Sequence, residues 1–135
     1  MKRGSRSDGG AATIGREEVS ATTWIPFFSG FNDRLNSRRA QVDVIKPDGS
    51  TEKVFRDLPL QSVATTLGAP GTTSGVDVRA PNTISITVLQ PPASLLTHKI
   101  DDVTRVYSWN DPSRNERGLE IETGDGSKTM LTLRG

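Results

Sequence analysis

The segment AQVDVIKPDGSTEKVFRDL leaves few folds open to this chain. Val42 and Val44 recur at every second position, the period of a strand that buries one face. Pro47 presets φ for a turn, Asp48 can bond the local backbone, and Gly49 can take positive φ. Val54 and Phe55 lie on the return. A β-hairpin is therefore predicted across 40–57. The C-terminal stretch LEIETGDGSKTMLTLR repeats the logic. Leu119 and Ile121 mark one strand, Met130 and Leu131–Leu133 the other, and Gly124-Asp125-Gly126 the turn. Gly49 and Gly126 are expected at positive φ.

Further strands are predicted at VDVRA and at NTISITVLQ, where Ile84, Ile86 and Val88 share a face and Gln90-Pro91-Pro92 ends the run. GAPGTTSG reads as a loop. ASLLTHKIDDVTRVYSW fits two descriptions: a helical turn through Leu95, Leu96 and Ile100, or extended chain, which Val103 to Trp109 favour. NDPSRNERG reads as a polar loop. One short helix is predicted over LPLQSVATTLG. Pro59 opens it, Leu60, Val63, Ala64 and Leu67 fall at i, i+3, i+4 and i+7, and Gly68 closes it. The pattern predicts a mostly β fold: a small antiparallel β-barrel or sandwich with one short helix and an extended N-terminal arm.

With 135 residues the chain has the length of one domain. Residues 1–20 lack apolar periodicity and read as the arm; 21–135 read as a single β-rich domain. Apolar residues make up 33% of the chain, so the core should be thin and burial in it concentrated. The arm contributes almost no apolar burial and is expected to be dispensable for folding and needed for assembly.

Four of the seven aromatic residues crowd into TTWIPFFSGF: Trp24, Phe27, Phe28 and Phe31. Pro26 and Gly30 argue against a long helix there, leaving a short helical turn near Phe31–Ser37. The basic cluster Arg34, Arg38 and Arg39 follows. Three roles compete for the rings: core, membrane-interface anchoring, or an anchor in a pocket of another chain. The membrane role is the weakest, because a net charge of +1 supplies no attraction to an anionic surface. Lys2, Arg3 and Arg6 give the arm a basic character suited to an acidic protein surface or to packaged nucleic acid. The expected partner-binding set is Lys2, Arg3, Arg6, Trp24, Phe27, Phe28, Phe31, Arg38 and Arg39.

The sequence offers little for catalysis. His98 is the one histidine, and in extended chain it does not converge with Asp101 and Asp102. Cysteine is absent. GAPGTTSG lacks the lysine of a phosphate loop, and TGDGSKT sits between two alternating strands. No cofactor, metal or small-molecule substrate is expected. Tyr107 and Trp109 with Arg105, Arg114 and Arg117 could stack single-stranded nucleic acid. Asp101, Asp102, Asp111, Glu116 and Glu120 offset that charge and disfavour it. No apolar stretch follows the basic N-terminus, so no secretory leader is expected, nor is a membrane span.

The composition therefore points to a non-enzymatic structural or assembly protein with protein partners, including copies of itself. Virion proteins of tailed phages (head decoration, connector or tail components) fit this description. The expected location is the virion or the cytoplasm. The alternatives are a nucleic-acid-binding β-barrel and an accessory subunit of a bacterial enzyme complex.

Overall fold

The computed structural model describes residues 15–66, 70–73, 76–79 and 82–134. The elements are β1 (Gly15–Val19), α1 (Trp24–Leu35), β2 (Arg39–Ile45), β3 (Thr51–Thr66), β4 (Pro70–Thr73), β5 (Val76–Arg79), β6 (Thr83–Gln90), β7 (Ser94–Ile100), β8 (Val103–Asp111), β9 (Glu116–Thr123) and β10 (Lys128–Arg134). Eight strands form one antiparallel sheet in the order β1-β8-β9-β10-β2-β3-β6-β7, and β4 and β5 pair separately. The fold is mostly β, as the alternation predicts. The sheet has two edges, β1 and β7, and a backbone bond from Val103 N–H to the Asn82 carbonyl (3.0 Å) links the start of β8 to the lead-in of β6.

Laid flat, eight strands would span roughly 34 Å and leave one face wet. Instead, inner-face residues from strands near both ends, Ile84 and Ile100 as well as Val106 and Ile121, belong to one buried cluster. The sheet therefore curls around its own core. Helix α1 covers it, burying Trp24, Phe28, Phe31 and Leu35. These lie at i, i+4, i+7 and i+11, one face of a helix.

That helix corrects the expectation of a short turn at Phe31–Ser37. Pro26 is its third residue, within the first turn, where a missing N–H has no intrahelical partner to lose. Gly30 costs about 1 kcal/mol of propensity. Three rings and a leucine, each aromatic burying about 150–250 Å², outweigh it.

The predicted helix at LPLQSVATTLG is likewise corrected. Its described part, through Thr66, is the second half of β3. The first half of β3 pairs with β2, as far as Arg39 opposite Pro59; the second half pairs with β6, from Leu60 opposite Val88 to Thr66 opposite Thr83. Pro59 thus falls where one partner ends and the next begins. Asp57 takes φ +53°, and its carbonyl accepts a bond from Arg39 Nη1 (2.9 Å). Leu60 and Val63 are buried whether the segment is helix or strand, so their spacing could not decide the matter. Leu67 and Gly68 lie outside the described residues.

Pro70–Thr73, expected in a loop, pairs with β5. Ser94–Ile100 resolves as strand, pairing with β6 from Ser94 opposite Gln90 to Ile100 opposite Ile84. The sheet also begins inside the expected arm: Gly15–Val19 pairs with β8, and Val19 enters the core.

Both predicted hairpins are present, and their turns share one design. Asp48 Oδ1 accepts from Ser50 N–H at 2.9 Å, and Asp125 Oδ1 accepts from Ser127 N–H at 2.9 Å. Gly49 and Gly126 both take φ +89°. Although far apart in sequence, the turns are neighbours, because Ile45 pairs with Lys128.

Two packing points can be tested by single substitutions. Asn32 Nδ2 donates to the Val63 carbonyl and Val63 N–H donates to Asn32 Oδ1, both at 2.8 Å. Gly118 in β9 has no room for a side chain. A Cβ there would run into the Leu131 carbonyl, 2.8 Å from its carbon, and would lie 3.0 Å from Trp109 Cζ2. Gly118→Ala is expected to cost about 3 kcal/mol or more, and Asn32→Leu about 2–3 kcal/mol. Gly49→Val should cost about 1 kcal/mol or more. Urea unfolding followed by circular dichroism tests all three. A Gly118→Ala protein as stable as wild type would contradict the close β9–β10 packing.

Candidate functional site

A groove of about 440 Å³ lies between α1 and the end of the sheet formed by β1, β8 and β9. Phe27, Phe31, Arg34 and Leu35 line it from the helix; Glu17, Ser108, Asn110 and Arg117 are among the strand residues that face them. Two registers assemble the strand wall: Glu17 opposite Ser108, and Asn110 opposite Arg117.

Arg34 lies back along α1, its Nη1 only 3.2 Å from where a Cβ on Gly30 would sit. Neither Arg34 nor Arg117 makes an ion pair among the described residues. Arg16, by contrast, is committed elsewhere. Its guanidinium stacks 3.7 Å from the centroid of Tyr107, and Nη2 donates to Glu120 Oε2 at 2.7 Å. That hydrogen bond raises the Arg16 pKa further above its ordinary value. Burial pushes the Glu120 carboxyl up, Arg16 and Lys128 pull it down, and the balance lies below the usual carboxylate value.

The expected partner-binding residues fall into three groups. Lys2, Arg3 and Arg6 lie outside the described residues. Trp24, Phe28 and Phe31 are buried, with 1–3% of their surface exposed, and Trp24 Nε1 donates to the Val19 carbonyl at 2.9 Å. Of the four clustered rings, only Phe27 remains half-buried at the surface, edge-on to Phe28 and on the groove wall. Arg39 is exposed and held by Asp57; Arg38 is half-buried, and its backbone carbonyl accepts from Leu60 N–H at 2.8 Å.

The stacking pair is not an open platform. Arg16 lies over the Tyr107 ring, Arg105 Nη1 reaches Tyr107 Oη at 3.4 Å, and Glu120 sits opposite Tyr107. Trp109 lies against Gly118, and its Nε1 is buried without a hydrogen-bond partner among the described residues.

His98 sits on β7 opposite Ile86. Asp101 is directed to Lys99 at 3.7 Å. Among the described residues no three His, Asp or Glu side chains gather as a metal site. No helix among them is long and apolar enough to cross a membrane. Compared with known proteins, the chain matches no family model, no curated protein and no solved structure.

Sequence reasoning singled out Arg34 and Arg117 as members of basic clusters and did not bring them together. Glu17, Ser108 and Asn110 carried no local signal at all, because strand register alone puts them beside α1.

The titrating groups separate by pH. Burial lowers the His98 pKa, against a smaller opposing effect of Glu52. The unfolded chain therefore takes up a proton near pH ~6.5 that the folded chain resists, and stability falls as pH drops through that range. Asp48 and Asp125 are held below the usual carboxylate value by hydrogen bonds from the Ser50 and Thr123 side chains. Their contribution is present above about pH 3.9 and is lost as pH falls toward their folded pKa values. Urea unfolding at about pH 7.5 and pH 5 should show a loss of stability that His98→Gln reduces. An identical loss in both proteins would remove His98 as its source.

Proposed function

We propose that this chain is a non-enzymatic structural or assembly protein, a component of a large multi-subunit complex such as a phage virion, docking through its N-terminal arm. Head decoration, connector and tail roles all suit it. One observation carries the reading. Residues 1–14 precede edge strand β1 in the chain; among the described residues β1 has one sheet partner, β8, and lies beside a groove walled by Phe27 and by Arg34 and Arg117, neither of which makes an ion pair among those residues.

An edge strand offers a row of free N–H and C=O groups to an added strand, and a neighbouring groove can take that partner's side chains. Phe27 supplies an apolar contact, and Arg34 and Arg117 supply orientation. The buried Trp24, Phe28 and Phe31 serve this site indirectly, by fixing α1 as one of its walls. A nucleic-acid role at Tyr107 and Trp109 would require Arg16 to leave both its ring contact and Glu120, which weighs against that alternative.

The test is a pair of truncations. Removing residues 1–14 should leave thermal stability nearly unchanged and abolish recovery of the chain in a large complex from its native source. Removing 1–20 deletes a strand and the buried Val19, and should cost about 2 kcal/mol or more. A full-length chain that runs from its native source as a free 14.6 kDa monomer would overturn the proposal.

A further inference from the structure

The inner face of the sheet changes character at the groove. Val19, Val106 and Ile121 are buried and lie side by side in β1, β8 and β9. Positions two and four residues away along each strand share their face. Register therefore makes Glu17, Ser108 and Leu119 the next row outward, and Gly15, Asn110 and Arg117 the last. Glu17, Ser108, Asn110 and Arg117 thus meet at the mouth of the curled sheet, where Arg34 reaches them from α1.

None of these five side chains makes a hydrogen bond or an ion pair among the described residues. Glu17 lines the same groove as two guanidiniums and is not within ion-pair distance of either. Arg16 is held instead by Tyr107 and Glu120. Asp33, beside Arg34 on α1, is exposed and does not line the groove. The helix wall is apolar: Phe31 and Leu35 are buried in it, and Phe27 is half-buried. A groove of about 440 Å³ with an apolar wall and a few convergent polar groups has the size and make-up of a small-molecule site.

We infer that the groove binds a free α-amino acid with an aromatic side chain. Glu17 takes the ammonium group. Arg34 and Arg117 take the carboxylate, with Ser108 and Asn110 as hydrogen-bond partners. Phe27 and the helix wall take the ring, since aromatic pairs gain from edge-on and offset contact as well as from burial. A simple anion would meet the repulsion of Glu17, and a simple cation that of two guanidiniums. A ligand carrying both charges on neighbouring groups gives all three ionised side chains a charge-assisted partner. The inference goes beyond the assembly reading and does not depend on it. The ligand uses inward side chains, whereas an added strand uses the backbone edge of β1.

Ligand and protein defects can be matched on the full chain. L-Phenylalanine, titrated at about pH 7 where its amino group is charged, should shift the NMR signals of Glu17, Ser108, Asn110 and Arg117, with a Kd of about 1 mM or tighter. Hydrocinnamate lacks the ammonium group, phenethylamine lacks the carboxylate and glycine lacks the ring. Each should bind about tenfold more weakly or worse. Glu17→Gln should weaken L-phenylalanine by about tenfold and leave hydrocinnamate no weaker, so that the two bind alike. Arg34→Gln/Arg117→Gln should bring L-phenylalanine down to the level of phenethylamine. If circular dichroism shows that double variant unfolded, Arg34→Gln alone replaces it.

An absence of shifts at about 20 mM L-phenylalanine overturns the inference. So do shifts confined to residues away from the groove, equal binding of L-phenylalanine and hydrocinnamate to the wild type, or a Glu17→Gln protein that still separates the two ligands as the wild type does. Recovery of the chain in a large complex, or its absence from one, bears on the assembly reading alone.

Discussion

The side-chain amide of Asn32 is the contact on which this architecture turns. Halfway along, β3 leaves β2 for β6, so one of its edges loses a strand partner. At Val63 both backbone groups on that edge are taken by Asn32, which donates through Nδ2 and accepts through Oδ1. One side chain thus stands in for a strand. A buried N–H and C=O left unmet would cost about 1–3 kcal/mol each. The same contact fixes the helix in translation and rotation, so its apolar face meets the open side of the curled sheet. The link that follows continues the substitution: Ser37 N–H donates to the Leu60 carbonyl, and Leu60 N–H donates to the carbonyl of Arg38.

The site follows from that seating. With α1 held against β3, its other flank stands over the ends of β1, β8 and β9, and the space between is the groove. Phe28, Phe31 and Leu35 anchor the wall, Phe27 faces outward from it, and Arg34 folds over the bare Gly30 toward the opening. Aromatic burial and the groove are one arrangement: rings that read as candidates for a partner's pocket shape this chain's own pocket. The two turns mirror this at the far end, where antiparallel pairing of β2 with β10 sets side by side two loops that the sequence separates widely.

Much of the β structure was legible locally. Alternation in 40–57 and in 119–133 carries its own register, and an Asp-Gly turn admits few conformations, so Gly49 and Gly126 appear at φ +89° as predicted. The misreadings came where local signals were balanced. LPLQSVATT satisfies a helical period and a buried strand equally well, and only the pairing offered by β6 and Asn32 selects strand. Pro26 and Gly30 spoke against a helix in TTWIPFFSGF, yet their cost is small beside the burial that a helical face gives three rings.

The sequence by itself determined that this chain would be mostly β, where its tight turns would fall, and that its few aromatics would have to act together. Those outcomes depend on period, on φ preference and on composition, all of which a short segment carries alone. Tertiary structure decided that Gly15–Val19 is a strand, that Gly118 must remain bare, and that Arg34 and Arg117 share a groove. Each of these depends on what lies across the sheet: the edge of β8, the carbonyl of Leu131, the face of α1. A residue's neighbours along the chain exert their influence through bonds and local dihedrals. Its neighbours across a sheet are set by register, which forms only once the whole core has found its packing.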